Sequence, residues 1–329
     1  MNRIATLPSE NRMALFRQTA EKMSVTEQIV EKDFWVCWTL KQLFESPLQN
    51  KLIFKGGTSL SKVYGVIERF SEDIDLILNW EGNPVGEPME KRSKTKTKAF
   101  NEQLLAWSNT CIEEEIYPTI TQFCKGICET TLKHADNGDA IVLIHYPQAF
   151  PTDSYLRPEI KLEIGALAAW DPHQSAVVTP YAAEHYPHVF IHKEARIQVT
   201  TAERTFWEKA TILHAEAGRP ESNRYRERYA RHYYDMVMLA RNEQIKAQAL
   251  TNPALLEKVV EFKQRFYSGS AWCAYPDAKP GTFRLLPPPH FLSDLRKDYH
   301  EMKNMIYGEY PSLETILAEL IKLQEEINK

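Results

Sequence analysis

Hydrophobic and polar positions along this chain follow two periods. Ile29, Phe34, Val36, Trp38, Leu40, Leu43 and Phe44 keep one stripe of a 3.6-residue repeat apolar, which predicts a helix out to about Phe44. Ser24 and Glu27 stand at capping-box spacing ahead of it, and the first fifty residues as a whole read as helical. Leu52-Ile53-Phe54 predicts a strand. Leu60, Val63 and Tyr64 return to helix spacing, and Asp73 to Leu78 alternates with the period of two that marks a half-buried strand. Helix spacing resumes from about Ala99 to Glu115. Ile116 to Phe123, Ala140 to Tyr146, Pro158 to Ile164 and Arg196 to Val199 are predicted strands. Beyond Thr200 the segments Ala202 to Ala217, Tyr225 to Arg241, Pro253 to Phe266, Phe291 to Tyr307 and Ser312 to Ile327 read as helices. The layout is α+β: N-terminal helices and a mixed core in residues 1–199, then a helical C-terminal domain in 200–329.

Composition narrows the class. The 329 residues are 43% hydrophobic and 26% charged, proportions of a folded globular chain with ample core. No apolar run is long enough for a membrane span, and Met1 to Glu10 has no apolar stretch of the kind a signal peptide needs. Five cysteines cannot all pair within one chain, which suits a reducing cytoplasm. A net charge of −4 excludes a protein that is basic throughout, but leaves room for local basic patches.

The segment richest in chemistry is Lys55-Gly56-Gly57-Thr58-Ser59-Leu60 followed by Ser71-Glu72-Asp73-Ile74-Asp75-Leu76. On a strand, Asp73 and Asp75 share one face with Cα atoms about 6.6 Å apart. Two carboxylates at that spacing repel unless they share a cation, and oxygen ligands completed by phosphate suit Mg²⁺. A Gly-Gly turn lets backbone approach a ligand closely, the helix beginning near Thr58 aims its free N–H groups at it, and the Thr58 and Ser59 hydroxyls add donors. Either half alone is a weak signal. In the order strand, Gly-Gly, helix, strand, D-x-D, they point to nucleotidyl or phosphoryl transfer from an NTP. In Glu159-Ile160-Lys161-Leu162-Glu163-Ile164, Glu163 shares a face with Lys161. It is either a third metal ligand or the partner of that lysine.

These residues resemble the AbiEii/AbiGii-type nucleotidyltransferase toxins, relatives of the MenT toxins with a polymerase-β-like core. Further likenesses are Glu31-Lys32-Asp33-Phe34-Trp35-Val36, similar to the family's N-terminal helix signature, and Glu208-Lys209 with Arg231-His232-Tyr233-Tyr234-Asp235-Met236, similar to its later Glu-Lys and Arg-Asp-x-x-Asp motif. Here His232 stands where the motif has Asp. The resemblance implies a polymerase-β-like nucleotidyltransferase core with a mixed sheet. It also implies a toxin of a toxin–antitoxin or phage-defence (abortive-infection) system that moves a nucleoside monophosphate from an NTP to RNA, the tRNA 3′ end in the MenT relatives, releasing pyrophosphate. By position, Asp73 and Asp75 bind metal, Ser71 sits beside the triphosphate, Lys209 contacts phosphates and Asp235 completes the catalytic group. A cognate antitoxin is an implied partner. Read from the residues alone, Lys209 lies near the apolar edge of its helix, where a lysine commonly snorkels. Asp235 among Tyr234, Met236 and Val237 needs a partner, for which Lys209 and Arg231 are candidates.

Two basic segments are candidates for RNA. Arg219 to Arg231 holds five arginines, among them Arg224, Arg226, Arg228 and Arg231, against two glutamates, with Tyr225 and Tyr229 between. Arginine with tyrosine suits phosphates and unpaired bases. Lys91, Arg92, Lys94, Lys96 and Lys98 form a second run, whose ordinary reading is a solvated face. Nucleotidylation of a protein acceptor and non-catalytic nucleotide or RNA binding are the alternative functions. The intact D-x-D argues against the last.

Overall fold

The computed structural model describes residues 1–71, 73–136, 138–151, 157–166, 168–267 and 270–329, so Glu72 of the D-x-D segment lies outside the described residues. Two compact units are present. The first comprises residues 1–63, 71–86 and 98–200, the second 64–70, 87–97 and 201–329.

The first unit carries α1 (Asn2–Ala5), α2 (Ser9–Met23), α3 (Glu27–Phe44), β1 (Leu52–Lys55), α4 (Gly56–Lys62), β2 (Asp73–Leu78), most of α5 (Lys94–Cys111), α6 (Tyr117–Cys124), β3 (Glu129–His134), β4 (Ala140–His145), β5 (Glu159–Gly165), β6 (His173–Val178), α7 (Tyr181–His185) and β7 (Ala195–Thr200). Among the described residues the strands form one mixed sheet in the order β3-β4-β5-β2-β1-β7-β6. Pairing is antiparallel for β1 with β2 and parallel for β2 with β5 and β1 with β7. The central strands are the ones whose alternation is clearest in sequence. Ile74, Leu76, Ile160, Leu162 and Ile164 are buried on one face, as a period of two requires.

Three expectations are corrected. Ile116 to Phe123 is not a strand: Ile112–Ile116 is a π-helical turn that runs into α6. Ile112, Ile116, Ile120 and Cys124 are buried at intervals of four, so packing selects helix over the β-branched composition. Ser24 does not cap α3. It closes α2 in the left-handed conformation (φ 55°), and Thr26 precedes α3 without a side-chain cap. Nor is α3 apolar on one stripe only, because Glu31, Lys32 and Asp33 are buried with the rest.

The second unit is helical: α8 (Ala202–Glu216), α9 (Ala230–Arg241), α10 (Glu243–Leu250), α11 (Pro253–Tyr267), α12 (Leu292–Glu301) and α13 (Leu313–Ile327). α8 packs on α9, α10 and α11, and α9 also meets α12 and α13. The expected helix from Tyr225 begins only at Ala230. The preceding turn is tied down by Asp298 of α12, whose carboxylate accepts from the backbone N–H of Arg228 and Ala230 and from the Tyr225 hydroxyl. Among the described residues no helix is long and apolar enough to cross a membrane.

Candidate active site

The Gly-Gly turn sits where β1 ends. Lys55 is paired with Asp75 across the β1/β2 ladder, and α4 starts at Gly56 with φ +82° and no side-chain cap. Its first N–H groups therefore lack intrahelical partners. A Cβ at Gly56 would stand 1.9 Å from Asp75 Oδ2 and 2.8 Å from its Cγ, so the Asp75 carboxylate occupies the space that any other residue would fill. The glycine is required twice, by its backbone angle and by its neighbour.

Asp73 and Asp75 share the half-buried face of β2. Across the parallel ladder they stand opposite Lys161 and Glu163 of β5. Glu163 is exposed and ion-paired with Lys161. Burial alone would lower the Lys161 pKa, but the bond to Glu163 and the charges of Glu163, Asp73 and Asp75 outweigh it and raise it. Three carboxylates against the two ammoniums of Lys161 and Lys55, the latter opposite Asp75 on β1, leave this face acidic by one charge. The donor set is all carboxylate, at i, i+2 spacing and partly accessible, and fits a hard divalent cation completed by phosphate oxygens and water. Among the described residues, no three His, Cys, Asp or Glu side chains are gathered closely enough to hold a metal by themselves, and Glu163 is turned to its lysine.

Thr58 and Ser59 do not offer their hydroxyls to a ligand. Both are buried: Thr58 donates to the carbonyls of Asp73 (2.5 Å) and Ser71 (3.2 Å), and Ser59 to that of Gly56 (2.8 Å). Their role is to lock the turn to the start of β2, which leaves half-buried Ser71 and the backbone of Gly56 and Gly57 as the groups beside the aspartates. α4 is anchored at its other end as well. Lys62 pairs with Asp33 at 2.6 Å with both side chains buried, and lies 3.8 Å over the Tyr181 ring. Asp33 also accepts from the Tyr181 N–H, its neighbour Glu31 from the Ala149 N–H, and Lys32 donates to the Arg157 carbonyl. Three consecutive buried charges of α3 thus tie down three separate segments, a role that the sequence alone does not disclose.

Lys209 and Asp235 meet in the second unit. Asp235 is fully buried and accepts from Lys209 Nζ at 2.7 Å and, in a bidentate fork, from Arg69 Nε (2.7 Å) and Nη2 (2.8 Å). Burial would raise the carboxyl pKa, but the charges of Arg69 and Lys209 outweigh it and hold Asp235 well below the usual range. Lys209 does not snorkel to solvent. Burial lowers its pKa despite Asp235, and its ammonium also donates to His232 Nδ1 at 3.1 Å. Arg69, rather than Arg231, is the second partner of Asp235. Its only trace in the sequence is a position two residues ahead of Ser71.

Arg224, Arg226 and Arg228 are exposed and Arg231 is half-buried. Arg226 stacks on Tyr229 (5.3 Å to the centroid) and donates to its hydroxyl. Arg219 is buried instead, paired with Glu216 at 2.6 Å and lying 4.6 Å over Trp272, and so leaves the exposed basic set. In the lysine run, Lys91, Lys94, Lys96 and Lys98 are exposed while Arg92 pairs with Glu90.

A family model described as "Nucleotidyl transferase AbiEii toxin, Type IV TA system" matches residues 38–319, which include the Gly-Gly turn, both aspartates, Lys209 and Asp235. The chain belongs to the AbiEii family. It is accordingly a nucleotidyltransferase toxin of a type IV toxin–antitoxin system. The AbiEii chain is also similar to a solved structure, "MenT4, nucleotidyltransferase toxin Rv2826c from Mycobacterium tuberculosis H37Rv", with 13% identity and a TM-score of 0.49 over 95% of this chain and 89% of that one. No curated protein matches it.

Proposed function

We propose that this AbiEii protein transfers a nucleoside monophosphate from an NTP to RNA, with the 3′ end of tRNA as acceptor, in a Mg²⁺-dependent reaction that releases pyrophosphate. The observation that carries this reading is the Asp75 carboxylate lodged against Gly56, with Asp73 on the same strand face. That arrangement puts two acidic oxygen donors beside the start of a helix, which is what a metal-bound triphosphate needs. Asp73 and Asp75 would hold the ion, and Glu163 would join them only on leaving Lys161. Lys55, Gly56, Gly57 and Ser71 would border the triphosphate, and Thr58 and Ser59 would keep that border in shape. A bound divalent ion supplies charge neutralisation on the phosphates and a lowered pKa at the attacking hydroxyl. Lys209 would meet phosphate oxygens, held in place by Asp235, while Arg224, Arg226, Arg228 and Arg231 would take the RNA backbone and unpaired bases. The protein would act in the cytoplasm, with a cognate antitoxin as its partner.

The test is incubation with Mg²⁺, each α-labelled NTP in turn, and purified tRNA or whole lysate. Label in tRNA is expected. Label in protein would move the acceptor to another class. No label in any acceptor, together with no growth defect on expression, would refute the reading. Asp73→Ala should abolish transfer while the unfolding profile stays that of the parent. Surviving activity would show that Asp73 is not a metal ligand.

A further inference from the structure

The Lys209 ammonium has three donors. One goes to Asp235 Oδ2 at 2.7 Å and one to His232 Nδ1 at 3.1 Å, which among the described residues leaves the third for an anion. The imidazole is itself braced: the Tyr229 ring stands edge-on to it with centroids 4.7 Å apart. We infer that His232 is a positioning residue, which fixes Lys209 by accepting from it and so aims the remaining donor at a phosphate oxygen. The charged groups around the ring are Lys209 from α8, Arg69 from the segment 64–70, and Arg231 and Asp235 from its own helix. Burial first, then the cations Lys209, Arg231 and Arg69, keep the imidazole neutral by holding its pKa well below 6.5. A neutral imidazole can accept from the Lys209 ammonium, which a protonated one cannot. Asp at 232 would keep an acceptor there but add a negative charge beside Lys209.

This inference rests on Lys209 acting on the phosphates as proposed above, so the experiment separates the two. Full-length His232→Leu, His232→Asn, His232→Asp and Lys209→Met are compared by calorimetric binding of inorganic triphosphate with Mg²⁺, by kcat and KM for labelled-NTP transfer to tRNA, and by thermal unfolding. His232→Leu removes the acceptor and should lower transfer by roughly 10- to 100-fold, the range seen when a supporting hydrogen bond to a functional group is lost. His232→Asn keeps an acceptor oxygen and should recover transfer to within about five-fold of the parent. His232→Asp keeps the tether but adds a negative charge beside the ammonium, and should weaken triphosphate binding by roughly ten-fold, about one charge–charge interaction in a partly screened site. Parent-like transfer in His232→Leu, or His232→Asp binding triphosphate as tightly as the parent, overturns the inference. If Lys209→Met leaves transfer intact, the underlying site reading fails instead. Should His232→Leu not fold, the comparison of His232→Asn with His232→Asp decides, because both retain the polar contact.

Discussion

The Asp235 carboxylate is in contact with the buried cations Arg69 and Lys209, and replacing it with Asn tests whether that cluster holds the second unit together. The side chain keeps its shape and one acceptor oxygen but loses its charge. Three charge-assisted hydrogen bonds of 2.7, 2.8 and 2.7 Å converge on the carboxylate. A charge pair with centres about 4 Å apart is worth roughly 4 kcal/mol at an effective dielectric of 20. Desolvation of the ions offsets part of this in the parent. In the variant the two buried cations lose the counter-charge of Asp235, and breaking such a pair costs about 3–5 kcal/mol. Asp235→Asn, which retains an acceptor, belongs at the lower end, near 3 kcal/mol. Urea unfolding at pH 7 reads this as a lower midpoint at unchanged slope. The sign with pH is fixed by the depressed carboxyl pKa: the stabilisation is fully present above the ordinary 3.8 and is lost only as pH falls through the folded-state value, so the gap between parent and variant persists from pH 7 down to about 4. Pairing it with Arg69→Met closes the cycle. The double variant should lose less than the sum of the singles by at least about 1 kcal/mol, because the two groups are in direct contact. An Asp235→Asn protein within about 0.5 kcal/mol of the parent, typical of an ordinary surface substitution, would refute the account.

Two further outcomes follow from the first unit. Gly56→Ala forces a left-handed residue and a Cβ 1.9 Å from Asp75 Oδ2. It should cost roughly 1–3 kcal/mol by thermal unfolding from the backbone and rotamer terms, and cut nucleotidyl transfer by about 100-fold through displacement of the carboxylate, so parent-like transfer would count against Asp75 as a ligand. Glu31 is buried, and burial, partly offset by the Ala149 and Phe150 N–H groups and Arg12, lifts its pKa from 4.5 to about 7. The folded state therefore binds the proton more tightly, and stability contributed by this group is greatest below pH 4.5 and falls by on the order of 3 kcal/mol as pH rises to about 7. Glu31→Gln should flatten that slope in unfolding measured from pH 4.5 to 7.5. An unchanged slope would show that Glu31 does not titrate there.

β2 and β5 are the most legible strands in the sequence. Each buries one face and leaves polar residues half-buried or exposed on the other, so alternation announces both the strand and the shared face of Asp73 and Asp75. β3 and β6 are silent because they are the sheet's edges. Glu129–His134 and His173–Val178 are mostly exposed and polar, and they are strands because a neighbour offers its backbone, a tertiary fact. The Gly-Gly turn was readable as a close-approach site, but which atom approaches was not: it is the side chain of Asp75, nineteen residues on. Arg69 and Asp235 lie 166 positions apart, and no local pattern links them. Thr58 and Ser59 looked like ligand donors because a hydroxyl beside a glycine turn serves equally well to satisfy backbone carbonyls, and only burial separates the two uses.

The parallel pairing of β1 with β7 has a consequence for how the chain is made. β1 lies between β2 and β7 in the finished sheet, with Phe54 paired to Val199. During synthesis, at about 5–20 residues per second, some 140 residues and roughly 7–28 s separate the appearance of these strands. Throughout that interval the apolar edge of β1 beside the Gly-Gly turn stays open on the nascent chain. That edge closes only once Val199 has left the ribosome, so a truncated product ending before β7 would carry both aspartates on a sheet whose β1 is an open edge.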